Sequence, residues 1–167
     1  MIRAMMLVIG LLLAALVGAS SPANAVGCPT GWGSLPKPSA STAISGDLVG
    51  VRAGVQPCFD RLVLDIRGPV PGFRVEYKSV ITEDPSGRVL NVPGGARLSV
   101  VVFAHGEVRP ALPSVSGFPV FRSVVWAGSF EGVTSLGLGV RARLPFRVFT
   151  LTNPTRVVVD VARSWNP

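Results

Sequence analysis

Asp60-Arg61-Leu62-Val63-Leu64-Asp65-Ile66 and, near the other end of the chain, Thr155-Arg156-Val157-Val158-Val159-Asp160-Val161 decide the fold class. In an extended chain successive side chains point to opposite sides. Leu62, Leu64 and Ile66 therefore share one face, and Arg61, Val63 and Asp65 share the other. The second copy repeats this, with Val157, Val159 and Val161 opposed to Arg156, Val158 and Asp160. Each segment is a strand with an apolar face for a core and an Arg and an Asp on its reverse. Opposite charges at such positions make cross-strand pairs when the strands are neighbours.

Outward from these two segments, β-branched runs alternate with Gly and Pro turns about every ten residues, the signature of an antiparallel sandwich. Strands are expected over 47–55, 59–67, 73–81, 97–104, 122–127, 133–142, 146–151 and 155–162, so the predicted fold is an all-β antiparallel sandwich of about eight short strands. Pro69-Val70-Pro71-Gly72, Asp84-Pro85-Ser86-Gly87 and Pro93-Gly94-Gly95 separate them. No window sustains the helical apolar period for three turns, and 19 Gly and 15 Pro disfavour long helices.

The N-terminus reads differently. Arg3 precedes an uncharged apolar run through Leu13, Leu16 and Val17, then small residues ending in Ala23-Asn24-Ala25. This is the order of a secretory signal, too short to span a bilayer, so residues 1–25 are expected to be removed and the mature chain to begin at Val26. No stable transmembrane segment then remains. Cleavage leaves 142 residues and takes away one positive charge, Arg3, so the formal +7 becomes +6. Residues 26–46 are Gly-, Pro- and Ser-rich and read as an extended arm, and 47–163 as the folded domain.

Two fates are open to Cys28. It follows Ala25-Val26-Gly27, as the modified cysteine of a lipoprotein does, but Ala25 stands where such signals usually carry leucine. The favoured fate is a disulfide with Cys58, the only other cysteine, in an oxidising compartment. That bond would pin the arm to the domain and bring Trp32 against it. The expected location is secreted or envelope-associated. A basic exported domain meets anionic envelope polymers and lipid head groups, not nucleic acid.

Catalysis finds little support. His105 is the only histidine, no Gly-x-Ser-x-Gly elbow is present, and one His with two separated Cys makes no zinc site. Glu83 and Asp84 sit adjacent in a turn and read as turn chemistry with Pro85-Ser86-Gly87. Gly137-Leu138-Gly139 lacks the helix and Lys-Ser/Thr of a phosphate loop. The chain is read as a non-enzyme with no cofactor and no metal. What remains is a binding surface. Arg141, Arg143 and Arg147 cluster in sequence, strand alternation puts Arg141 and Arg143 on one face, and guanidinium forks suit phosphate or carboxylate. Trp126 and Tyr77 are candidate stacking platforms for sugars, although large aromatics in strands more commonly belong to cores.

Several separated motifs then occur in order: Cys28 with Trp32-Gly33-Ser34, Cys58-Phe59-Asp60-Arg61-Leu62-Val63-Leu64-Asp65, Pro71-Gly72-Phe73-Arg74-Val75, Pro93-Gly94-Gly95-Ala96-Arg97-Leu98, Val125-Trp126-Ala127-Gly128-Ser129-Phe130-Glu131-Gly132, and Phe146-Arg147-Val148-Phe149 with Arg156-Val157-Val158-Val159-Asp160-Val161. Together they resemble the AMIN-like domain of secreted actinobacterial, including mycobacterial, proteins. That domain is named after the AMIN module of cell-wall amidases. The resemblance implies a β-sandwich that binds the envelope, with peptidoglycan or an attached wall polymer as ligand. The alternative is a protein-interaction subunit of an envelope complex, docking through exposed strand edges. The expected partners are accordingly a cell-wall glycan or an envelope protein.

Overall fold

The computed structural model of the protein describes residue 28 and residues 31–165. The expected signal peptide and Val26 start lie outside the described residues. Among the described residues there are eleven strands and no helix: β1 (Lys37–Pro38), β2 (Asp47–Val55), β3 (Phe59–Arg67), β4 (Phe73–Lys78), β5 (Ile81–Thr82), β6 (Val89–Leu90), β7 (Ala96–Val102), β8 (Phe121–Phe130), β9 (Val133–Val140), β10 (Phe146–Leu151) and β11 (Arg156–Ala162). They form a five-stranded sheet, β1-β4-β7-β9-β8, packed on a four-stranded sheet, β10-β11-β3-β2, with β5 and β6 as a separate hairpin.

Both sheets follow from the period-2 pattern. The two Arg/Asp segments that decide the fold are β3 and β11, which are antiparallel neighbours in register, Leu64 against Val157 and Leu62 against Val159. Their apolar faces are sealed: Leu62, Leu64, Val157, Val159 and Val161 have no exposed surface. Opposite them lie Val75, Leu98, Val100, Val102, Leu136 and Leu138 of the five-stranded sheet. Burying each such side chain stabilises the fold by about 1.5–3 kcal/mol. β8 and β9 are joined by Glu131-Gly132, both with positive φ, the two-residue turn whose twist matches a hairpin.

The same alternation turns Asp60 inward, in phase with Leu62. Its carboxylate is fully buried and accepts the backbone N–H groups of Val120, at 2.7 Å, and Phe121, at 2.9 Å. It thereby ties β3 of one sheet to the first residue of β8 in the other.

Four expectations are corrected. The strand drawn over 73–81 ends at Lys78, and Ile81 opens the β5–β6 hairpin instead. β8 runs to Phe130, beyond the expected Ala127, by absorbing a bulge between Trp126 and Gly128. β9 ends at Val140, not at residue 142, because the chain must turn at 141–145 to cross from one sheet to the other. The arm contains a short strand, β1, whose Lys37 and Pro38 pair with Val75 and Arg74 of β4.

Candidate functional site

Strand registers define two ends of the sandwich. At one, β7 and β8 start, β9 stops, β10 and β3 start and β11 stops. The Cys28–Cys58 disulfide sits here, with Cα atoms 5.3 Å apart and a sequence separation of 30. A disulfide fits an oxidising, extracytoplasmic compartment. It holds the arm so that Trp32 packs edge-on against Phe59, ring centroids 5.5 Å apart. The arm then runs along the 141–147 segment: Gly33 O accepts the Phe146 N–H at 2.8 Å, and Ser34 accepts Arg143 Nε at 3.2 Å and Nη2 at 3.1 Å.

Each residue expected to form a binding surface has a defined place. Arg147 projects from the open face of the four-stranded sheet, its guanidinium 4.5 Å from the Trp32 ring centroid and 5.0 Å from that of Phe149. Its Nε donates to Asp160 Oδ2 at 2.8 Å. Arg61 donates to the same carboxylate in fork geometry, at 2.7 and 2.9 Å. Asp160 is thus fully buried beneath two arginines and three aromatic rings, although it points to the outer face. The hydrogen bond to Asp160 raises the Arg61 pKa and keeps it charged. With the arginines 29% and 40% exposed, the cluster stays +1 and presents cation edges to solvent.

Arg143 covers the Tyr77 ring at 4.9 Å, and Arg141 donates to the carbonyl of Arg163. Because β9 stops at Val140, the two arginines share a bend and not a strand face. Tyr77 is turned inward, stacked edge-on with Phe146, and its hydroxyl donates to Leu144 O and accepts Leu144 N–H, at 2.8 and 2.9 Å. Burial pushes the Tyr77 phenol above its ordinary pKa. Its hydroxyl anchors the bend that carries Arg143. Trp126 lies apart from this group, packed against the core on β8 with Arg109 over its ring at 5.5 Å.

Lys78, Arg97, Arg122 and Arg163 reach the same end from β4, β7, β8 and the segment after β11. The carboxylates on that half are Asp60 and Asp160, both fully buried, and Glu76, whose side chain is 16% exposed between Arg74 and Lys78. Asp47, Glu107 and Glu131 lie at the far end, where Asp47 and Glu107 line a cleft of about 300 Å³ with Arg67 and His105. His105 is exposed there, and among the described residues no group of three potential metal-ligating side chains occurs. Glu83 and Asp84 serve turn structure: Glu83 is bonded by Ser86 and Arg88, which hold its pKa below the ordinary range, and Asp84 accepts the Ser135 hydroxyl.

Sequence reasoning missed Phe59, Arg61, Phe149 and Asp160 as parts of one cluster. The signal was present in the Arg/Asp alternation of the two matching segments, which becomes a site only once β10 joins β11. No curated protein and no solved structure matches the chain. The family model for the AMIN-like domain matches residues 46–163, from the residue before β2 to the residue after β11, and the chain belongs to the AMIN-like domain family.

Proposed function

We propose that this protein is a non-catalytic module that attaches to the cell envelope outside the cytoplasm, with peptidoglycan or an attached anionic wall polymer as its ligand. The observation that carries this reading is the separation of charge. Arg141, Arg143, Arg163, Arg97, Arg122 and Lys78 converge on the disulfide end, beside Arg61 and Arg147, while the carboxylates there are buried or nearly so. Such an end attracts a polyanion at long range and binds its phosphate or carboxylate groups through guanidinium forks. Membership in the AMIN-like family points to the wall as the source of that polymer. The alternative, a protein-interaction subunit, rests on the strand edges.

The test is co-sedimentation of the purified protein with insoluble peptidoglycan, with and without attached anionic polymers. Pelleting is expected to survive about 0.15 M salt, where the screening length is about 8 Å. Arg141→Gln with Arg143→Gln is expected to weaken it about a hundredfold or more, each charge-assisted hydrogen bond being worth about 1.5–3 kcal/mol. Pelleting that disappears at that salt concentration, or that the double variant leaves unchanged, removes the disulfide end as the site.

A further inference from the structure

The two sheets have four edge strands, and three of them are guarded. β1 is two residues long and carries Pro38, with Pro36 just before it, and proline cannot donate to a ladder. β2 breaks its register at Val49, between Leu48 and Gly50. β8 breaks its register twice, at Arg122 and at Ala127. Short edges, prolines and bulges are the usual devices that keep an edge from pairing with another chain. β10, which follows Pro145, has no bulge and no proline within it: it is six residues of Phe146-Arg147-Val148-Phe149-Thr150-Leu151, in unbroken register with β11.

The hydrogen bonds around β10 show which groups face outward. Ala162 N–H donates to Pro145 O, whereas Phe146 N–H turns away from β11 and donates to Gly33 O of the arm. Backbone groups alternate along a strand. Arg147 and Phe149 are therefore engaged by β11, and Val148 and Thr150 present their N–H and C=O to the open side. Among the described residues the arm covers the edge at Phe146 and leaves the rest to another strand.

From this unguarded edge we infer that β10 pairs antiparallel with β10 of a second copy of this chain, about a two-fold axis at Phe149. The register is selected by the side chains. Bonding Val148 of one copy to Thr150 of the other places Phe149 directly opposite Phe149, and Arg147 opposite Leu151. No like charges face each other, an aromatic pair forms at the axis, and both copies bury the same patch, as an isologous interface requires. Registers shifted by two residues bring Arg147 or Leu151 against Phe149 and lose the symmetric ring pair. The two four-stranded sheets become one continuous sheet, and the two cationic ends point in opposite directions. A second copy fits better than an unrelated acidic strand, because Arg147 already has its carboxylate partner in Asp160.

Sedimentation velocity at about 0.15 M salt, at protein concentrations up to about 1 mM, is expected to show reversible dimers, since an edge contact this small gives only weak affinity. Thr150→Pro removes an outward N–H without touching the β11 ladder, and is expected to give a monomer with unchanged circular dichroism. Oxidative cross-linking supplies a second readout. Phe149→Cys is expected to form an interchain disulfide, since directly opposed residues in a non-hydrogen-bonded pair lie about 4.5 Å apart. Val148→Cys sits diagonal to its counterpart, about 7–8 Å away, and is expected to cross-link at most a tenth as well. A wild-type protein that stays monomeric over this range overturns the inference. Equal cross-linking of the two cysteine variants overturns it as well.

Discussion

The outer faces of the two sheets have opposite fates. On the five-stranded sheet, β9 presents Gly137 and Gly139 outward, and the segment carrying β5 and β6 lies directly on them. Ile81, Val92 and Ala127 form a second small core there. On the four-stranded sheet nothing comparable among the described residues lies over β2, β3, β11 and β10, and the outward residues are Arg52, Arg61, Val63, Asp65, Arg147, Val158 and Phe149, with the described part of the arm touching one corner through Trp32. A sheet covered by its own chain uses small residues outward, because backbone must approach backbone. The uncovered face uses charges and rings, and it borders the cationic end.

Removing the clamp at the corner of the open face has the largest expected effect on this contrast. Replacing both Cys28 and Cys58 by Ser frees a 30-residue loop, and is expected to cost about 3–4 kcal/mol in a denaturant titration. It should also expose Arg147 by releasing Trp32, seen as a shift of tryptophan emission. An unchanged emission spectrum would mean that Trp32 holds its place on Phe59 and Arg147 without the bond.

Alanine substitutions probe the two faces directly. A Cβ at Gly139 would collide with the carbonyl oxygen of Pro93, so Gly139→Ala is expected to cost about 3 kcal/mol by overpacking. Gly54, outward on β2 of the open face, meets only Gln56 Nε2 at 3.9 Å. Gly54→Ala is expected to stay within about 0.5 kcal/mol of the wild type. Equal melting temperatures for these two variants would break the distinction between a covered and an uncovered face.

The smallest effect concerns pH. Because burial raises the Tyr77 phenol above its ordinary pKa, the unfolded chain ionises first as pH rises through about 10. The stability Tyr77 contributes is present below that pH and is lost above it, as the folded phenol in turn ionises. Tyr77→Phe is expected to flatten this alkaline loss in a series of thermal melts, at the cost of the two hydrogen bonds to Leu144.

The period-2 pattern was enough to draw β2, β3 and β10 with their observed bounds, although β2 interrupts its alternation with the bulge at Val49. It was least reliable where the chain changes sheet. Arg141 and Arg143 look like the continuation of an alternating strand, but the crossing from Val140 to Phe146 demands a bend that local sequence does not announce. Residue type left Trp126 and Tyr77 open to either a stacking platform or a core, and it took the structure to show that the first packs on the core and the second gives its hydroxyl to Leu144.

By itself, then, the sequence determined the all-β class, the apolar face of each strand and the basic charge, and favoured the pairing of its two cysteines that the structure shows, because these depend on periodicity, counting and compartment. Only the tertiary structure decided that Arg61 and Arg147 share Asp160, that Trp32 lies over Arg147, that Gly137 and Gly139 are covered, and that β10 is the unguarded edge. Those facts depend on which strands become neighbours. Local alternation fixes the faces of a strand, but the core's demand for closure chooses its partners.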